Sequence, residues 1–250
     1  MANVIFIKLF IKKIYWYLRE LDLKNLIKKF QNLINPRHPL HLSFWNQNCS
    51  IEQMKKWCGD HEIDWKKEIR KKIMNRKYES ILDCGAGVFS EYFGFKNDEY
   101  DIVYEATEIT DKFIEYGHKN GIIVKHFTID CMDFPDNSFD CVLCYDVLNH
   151  QTDYRKELLE MIRVAKKEII ISFFKPFLCD KDFEKALGNH FPHRVSKLGI
   201  IQDRMSNVFK KTNLIYHFFD KRIMEEFLNS LNISYSFQTV YDKQILFIKK

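Results

Sequence analysis

The chain has 250 residues, of which 46% are hydrophobic and 29% are charged. This length and composition predict one soluble α/β domain with additions, and they exclude a disordered or membrane-embedded chain. Residues 1–30 carry a net charge of +5 and residues 66–77 carry +6, which leaves −6 for the rest. A mildly acidic body argues against a nucleic-acid groove, so nucleic acid is not the expected partner.

The seven cysteines show no paired spacing of the kind found in disulfide frameworks. Cys141 and Cys144 have the spacing of a redox or metal pair, but residues three apart on a strand face opposite sides of a sheet. With no cleavable signal peptide in the sequence, we expect reduced thiols in a cytoplasmic protein. No cluster of side chains suggests a metal site.

Residues 3–30 alternate apolar clusters with lysines, and the aliphatic side chains fall on one helical stripe. Lysines interrupt the apolar run too often for a transmembrane helix. The helix is expected either to pack on the rest of the molecule or a second subunit, or to make peripheral contact with an anionic membrane. Pro36 and Pro39 then mark a linker, so residues 1–40 form an N-terminal helix and linker.

Residues 41–78 are predicted to form a helical lid segment ahead of the first strand. Ser50 and Gln53 have capping-box spacing, which places a helix start near Ser50. A second helix over about 62–77 carries the second basic run, which we interpret as a solvated face. Trp45 and Asn46 are the candidate lid residues.

The stretch 81–91 is predicted to be a buried strand, a Gly-x-Gly turn and the start of a helix. Gly85 and Gly87 would let the backbone approach a ligand closely. A dinucleotide site would require glycine at position 90, where this chain has Ser90. Asp83, at the end of the strand, instead suits a ligand that carries an ammonium group.

Further strands are predicted near 102–108, 122–127, 141–145 and 168–174, alternating with helices as in a parallel α/β sheet. Residues 233–240 and 244–249 are predicted to close the chain as an antiparallel hairpin. Between the strand near 168–174 and this hairpin, residues 175–213 lack a clear strand pattern and are expected to form a long functional loop.

The acid-x-Gly-x-Gly motif, the acid after the second strand and the terminal hairpin make the sequence resemble the class I SAM-dependent methyltransferases of the small-molecule type. The resemblance is clearest over residues 79–175. It implies a Rossmann-like α/β fold over residues 79–250, a seven-stranded sheet with helices on both faces. The N-terminal helical extension and a substrate cap insertion after strand five, residues 175–213, would be added to it. The frequent third glycine of the motif is replaced by Phe89.

The cofactor implied by the resemblance is S-adenosyl-L-methionine (SAM), with S-adenosyl-L-homocysteine (SAH) as product. Glu108 would bind the ribose hydroxyls, with Glu105 as the alternative if the strand ends earlier. Asp130 would accept the adenine amino group. The full expected cofactor-binding set is Asp83, Gly85, Gly87, Glu108, Ile109, Asp130, Cys131 and Tyr145.

The acceptor is expected beyond the fourth strand, because ligands bind outside the carboxyl ends of strands in open α/β sheets. His150 there is a candidate general base, although it could instead only orient its loop. The insertion adds further candidates. The expected catalytic residues are His150 and His193, and the expected substrate-binding residues are Asp146, His190, Arg194 and Tyr216.

These patterns predict methyl transfer to an oxygen or nitrogen of a small polar molecule, such as a sugar unit. One alternative is an RNA or protein methyltransferase that docks through the basic runs, although the Asn-Pro-Pro-Tyr type of motif is absent at residues 146–149. Another is a non-catalytic scaffold of the same fold at a membrane surface. An oligomer is compatible with each.

Overall fold

The structure is a computed structural model. It describes residue 45 and residues 49–58, 61–151, 154–173, 194–195, 200–204, 215–219, 221–241 and 243–250. The predictions for the helix of residues 3–30, for Asn46 and for His190 and His193 lie outside these residues. For Arg194 and Tyr216 the structure describes the backbone alone.

Within the described residues, two helices precede the first strand, α1 (Ile51–Cys58) and α2 (Asp64–Asn75). The backbone N–H of Gln53 donates to the Ser50 hydroxyl at 3.1 Å, which confirms the predicted helix start. The second basic run is a solvated face only in part: Lys66 and Arg70 on α2 are 3% and 0% exposed, whereas Lys71, Arg76 and Lys77 are exposed.

The main body alternates strands and helices as predicted. Its elements are β1 (Ser80–Cys84), α3 (Ser90–Asn97), β2 (Val103–Thr107), α4 (Asp111–Lys119), β3 (Ile123–Lys125), β4 (Phe139–Tyr145), α5 (Tyr154–Val164) and β5 (Ala165–Phe173). The insertion and its flank contain β6 (Arg194–Val195), β7 (Ile200–Arg204) and β8 (Ile215–Phe219). After them come α6 (Lys221–Ser230), β9 (Ser234–Val240) and β10 (Lys243–Lys249).

The main sheet has seven strands in the order β3-β2-β1-β4-β5-β10-β9. The first five are parallel, and β10 runs antiparallel to both β5 and β9. The predicted seven-stranded sheet with its terminal hairpin is therefore confirmed. Because β1 lies between β2 and β4, the strand order reverses there, and this is where open α/β sheets bind ligands.

Apolar side chains cover both faces of the sheet. On one face, α5 and α6 pack against a core that includes Cys144, and on the other, α2 and α3 pack against a core that includes Cys141. The two thiols therefore face opposite sides, as the period of a strand requires. Among the described residues, no helix combines the length and the apolar character that a bilayer crossing requires.

Residues 175–213, which show no clear strand pattern in the sequence, contain two short strands. β6 (Arg194–Val195) and β7 (Ile200–Arg204) pair with β8 (Ile215–Phe219) in an antiparallel three-stranded sheet of their own. These strands are too short, and β7 too charged, to show a period-two pattern. β8 lies against the short 3₁₀ turn Leu148–His150 that follows β4.

Candidate active site

The glycine turn after β1 is fixed by its neighbours on both sides. Gly85 and Gly87 have φ of +68° and +56°, in the left-handed region that favours glycine. The N–H groups of Gly85 and Ala86 donate to the Thr107 carbonyl at 2.9 and 3.2 Å. A Cβ on Gly85 would lie 2.8 Å from Val147 Cγ2, so the turn passes closely against the segment after β4.

Phe89 occupies the place of the motif's third glycine and keeps the backbone conformation that a glycine would adopt, with φ of +58°. Its ring is fully buried. Gly117 on α4 makes room for it, since a Cβ there would lie 2.8 Å from Phe89 Cζ. The imperfect motif thus preserves the course of the chain.

Glu108 follows β2 directly, whereas Glu105 lies inside that strand. Glu108 Oε2 accepts the N–H of Gly87 at 3.0 Å, and Oε1 accepts those of Ile109 and Thr110 at 2.8 and 3.1 Å. Burial raises the pKa of Glu108, and these three hydrogen bonds oppose the rise. The carboxylate therefore joins the glycine turn to the loop after β2.

Asp83 lies at the carboxyl end of β1, where it is 3% exposed. The Tyr104 hydroxyl donates to Asp83 Oδ2 at 2.5 Å. Burial raises the pKa of Asp83 to about 7. Its negative charge at neutral pH is consequently only partly formed, and a cationic ligand group would stabilise it.

Asp130 and Cys131 belong to a tight turn in the connection after β3. The N–H of Cys131 donates to the Thr128 carbonyl at 3.1 Å. Asp130 is half-buried and Cys131 is exposed. Both can therefore face a ligand from this side.

Tyr145 ends β4 with its ring against Trp65 of α2, at a centroid distance of 5.1 Å. Its hydroxyl is buried and has no hydrogen-bond partner within the described ranges. Burial raises the pKa of this hydroxyl. It remains a neutral donor at the end of the sheet.

Asp146 follows Tyr145 with a positive φ of +59°. Lys243 Nζ donates to its Oδ2 at 2.6 Å, and the Ser172 hydroxyl donates to its Oδ1 at 3.0 Å. Both oxygens are thus engaged by β5 and β10. This arrangement favours a role in fixing the strand end, and the predicted contact with substrate stays a prediction.

His150 lies beside Trp45, with ring centroids 5.4 Å apart and planes at 82°. The candidate lid residue and the candidate base are therefore in contact. The backbone of β8, which carries Tyr216, runs alongside this turn. Arg194 lies on β6 at the far side of the small sheet.

Four residues of this region were not among those predicted from the sequence: Lys66, Tyr104, Trp65 and Lys243. Strand alternation places Tyr104 on the same face of the sheet as Asp83, which is a signal for proximity but not for a hydrogen bond. Lys66 and Lys243 resemble ordinary surface lysines in sequence. Their burial depends on partners far along the chain.

The order of the main sheet and the glycine turn at its switch point are features of the fold that solved class I SAM-dependent methyltransferases share. A family model described as a methyltransferase domain matches residues 82–173. Residues 82–173 are therefore similar to methyltransferase domains. Within the described ranges, no three His, Cys, Asp or Glu side chains come together in a way that could hold a metal ion.

Curated relatives match part of the chain. The ubiquinone/menaquinone biosynthesis C-methyltransferase UbiE of Francisella tularensis is 30% identical over 132 residues, which are 48% of this chain and 52% of that protein. An uncharacterized protein of Methanocaldococcus jannaschii is 32% identical over 136 residues, 46% of this chain and 57% of the relative. The chain thus spans about half the length of the curated relatives it matches.

Solved structures share the fold at low identity. The magnesium protoporphyrin IX methyltransferase of Synechocystis, crystallised with SAH, has a TM-score of 0.58 at 14% identity over 83% of this chain and 97% of its own. A Pyrococcus horikoshii protein has a TM-score of 0.57 at 14% identity, over 83% and 95%. The 1,6-didemethyltoxoflavin-N1-methyltransferase of Burkholderia thailandensis has 0.54 at 15% identity, over 80% and 82%.

Proposed function

We propose that this chain binds SAM over the turn Gly85–Gly87, transfers its methyl group to a small-molecule acceptor and releases SAH. The observation that carries the proposal is the pair of buried carboxylates, Asp83 and Glu108. They stand at the carboxyl ends of adjacent parallel strands, on either side of a turn whose backbone a ligand can approach.

The side chains present fit this cofactor. Each carboxylate oxygen has two lone-pair directions, so Glu108 Oε2 can accept a ribose hydroxyl in addition to the Gly87 N–H. Asp83 offers a negative charge to the ammonium group, and Asp130 offers an acceptor to the adenine amino group. When bound, the cofactor supplies an electrophilic methyl group on a sulfonium.

The acceptor is proposed to be a small polar molecule, such as a sugar unit, methylated on oxygen or nitrogen. The separate small sheet against the turn of His150 supports an enclosed acceptor site. An oxygen acceptor must lose a proton, and we assign its removal to His150. The relatives named for their reactions include a C- and an N-methyltransferase, which supports a small acceptor without choosing its atom.

The alternative of an RNA or protein methyltransferase loses support. It requires the two basic runs as docking surfaces, and in the second run Lys66 and Arg70 are buried and Arg76 is paired with Glu168, which leaves four of its seven basic side chains for docking. A cytoplasmic location is also proposed. Cys49, Cys84, Cys131, Cys141 and Cys144 are free thiols, as expected in a reducing compartment.

Calorimetric titration of SAH into the wild type and Glu108→Gln tests the proposal. The amide places a donor where backbone N–H groups and a ribose hydroxyl need acceptors, so we expect a loss of about a hundredfold in affinity, about 2.7 kcal/mol. Glu105→Gln, inside the strand that Glu108 follows, is the matched control and should bind within about twofold of wild type. Absence of SAH and SAM binding in the wild type would refute the proposal.

A further inference from the structure

Buried polar groups surround Asp83 on the face of the sheet that α2 and α3 cover. Lys66 Nζ donates to the Ser90 hydroxyl at 2.5 Å and lies 4.0 Å from Glu91 Oε1. Both Lys66 and Glu91 act electrostatically on Asp83, with opposite signs. The surroundings of Asp83 are therefore fixed by two helices as well as by the strands.

The hydrogen bond from Tyr104 is the direct contact within this cluster. It engages Oδ2 of Asp83, and both side chains are buried. Oδ1 accepts no hydrogen bond from the part of the chain that the structure describes. Tyr104 therefore holds the carboxylate by one oxygen and leaves the other available to a ligand.

We propose that Tyr104 is a positioning residue, which acts through Asp83 to present one carboxylate oxygen to the ammonium group of the cofactor and sets the pH above which that group is bound. This inference rests on the proposed function. Tyr104 donates to Asp83 and is not among the residues proposed to bind the cofactor, and a merely structural tyrosine would not produce a pH dependence of cofactor binding.

The sign of the pH effect follows from the groups that face Asp83. Burial raises its pKa, Glu91 and Glu108 add to that rise, and Lys66 and the Tyr104 hydroxyl oppose it. The other titratable groups that interact with Asp83 have raised pKa values and stay neutral near pH 7: the Tyr145 hydroxyl and the thiols of Cys84, Cys141 and Cys144. Removing the Tyr104 hydroxyl must therefore raise the pKa of Asp83 further.

The experiment compares two probes in the full chain, each titrated from about pH 5.5 to 8.5. SAH carries the ammonium group, whereas 5′-methylthioadenosine keeps the adenosine and thioether but lacks the amino-acid end. In the wild type, we expect SAH affinity to fall below a midpoint near pH 7, set by Asp83 with its pKa of about 7. Affinity for 5′-methylthioadenosine should not change with pH.

Tyr104→Phe is expected to move the SAH midpoint upward by about one pH unit and to leave 5′-methylthioadenosine binding unchanged. Tyr100→Phe is the matched control. It removes a hydroxyl that donates to the Tyr78 carbonyl at 2.9 Å, away from Asp83, and should keep the wild-type midpoint.

An unchanged midpoint in Tyr104→Phe overturns the inference, and so does SAH affinity in the wild type that does not vary with pH. Equal loss of both probes in Tyr104→Phe also overturns it, because that result indicates a structural role alone. If the wild type binds neither probe at any pH, the proposed function itself fails and this inference fails with it.

Discussion

Phe89 illustrates how one residue can depart from a motif and preserve its geometry. The position requires a positive φ, which costs a residue with a Cβ about 1–2 kcal/mol. Burial of the phenyl ring in the space beside Gly117 returns a comparable amount. The sequence shows the missing glycine but not this compensation, because Gly117 lies on another helix.

The burial of Asp83 should lower the stability of the folded protein, although the same carboxylate is proposed to bind the ligand. In the unfolded chain, the pKa of Asp83 has its ordinary value near 3.8. In the folded chain, burial raises this pKa to about 7. Between these values the folded state holds a proton that the unfolded state has released, so stability falls as pH rises. Above both pKa values, the loss of folding stability caused by the buried charge reaches its maximum, which is at most about 4 kcal/mol.

Asp83→Asn should therefore stabilise the ligand-free protein while it abolishes the charge that binds an ammonium group. The gain should be near zero at about pH 4, grow up to about pH 7 and stay constant above it. Urea unfolding at several pH values measures it, with the exposed Asp101→Asn as control. A gain that does not vary with pH would contradict the assigned pKa of Asp83.

At the scale of elements, α2 is attached to α3 by charge as well as by apolar packing. Arg70 of α2 is fully buried, with Nη1 3.5 Å from Glu91 Oε2 and Nε 2.9 Å from Asp98 Oδ2. Gly94 of α3 makes room for it, because a Cβ there would lie 2.4 Å from Arg70 Cζ. This attachment holds the helix that carries Trp65 and Lys66 over the end of the sheet.

Arg70→Met should destabilise the protein by about 3 kcal/mol, because it leaves Glu91 buried with only the more distant Lys66 as a counter-charge. Adding Glu91→Gln should restore a large part of that loss. Urea unfolding of the single and double variants measures both effects, with the exposed Lys71→Met of the same helix as control. A loss below about 1 kcal/mol for Arg70→Met would show that the pair is dispensable.

The helices and strands around this pair could be predicted from apolar periodicity, but the burial of Arg70 could not. A buried cation needs a partner, and Glu91 is 21 residues away on a different helix. In sequence, residues 66–77 therefore resemble a solvated basic face. The same reasoning applies to Lys243, whose partner Asp146 is 97 positions away.

For the whole molecule, the main sheet was predictable because each strand carries a local signal and the connections of a parallel sheet permit few arrangements. The three-stranded sheet was not, since its strands are short and pair only with one another. The residues proposed to hold the cofactor lie at the strand ends, whose positions could be predicted from the sequence. The acceptor end depends on the insertion, where sequence pattern is weakest.

The basic N-terminal segment, residues 1–30, is expected to affect membrane binding but not cofactor binding. Deleting residues 1–30 should leave SAH affinity within about twofold of the full chain, because the residues proposed to hold the cofactor all lie beyond position 80. It should remove binding to vesicles that contain phosphatidylserine, since each lysine near an anionic surface contributes about 1 kcal/mol. Vesicle sedimentation measures this, with pure phosphatidylcholine vesicles as the control surface.

Substitution of lysines tests the contribution of positive charge to vesicle binding without deleting the segment. Replacing Lys8, Lys12 and Lys13 by Gln in the full chain keeps the apolar stripe and removes three of the segment's seven basic charges. Binding that weakens in this variant and at high salt is electrostatic. If the truncated chain instead loses SAH affinity or stability, the helix belongs to the packed body, and its apolar stripe is then covered by the protein and not by lipid.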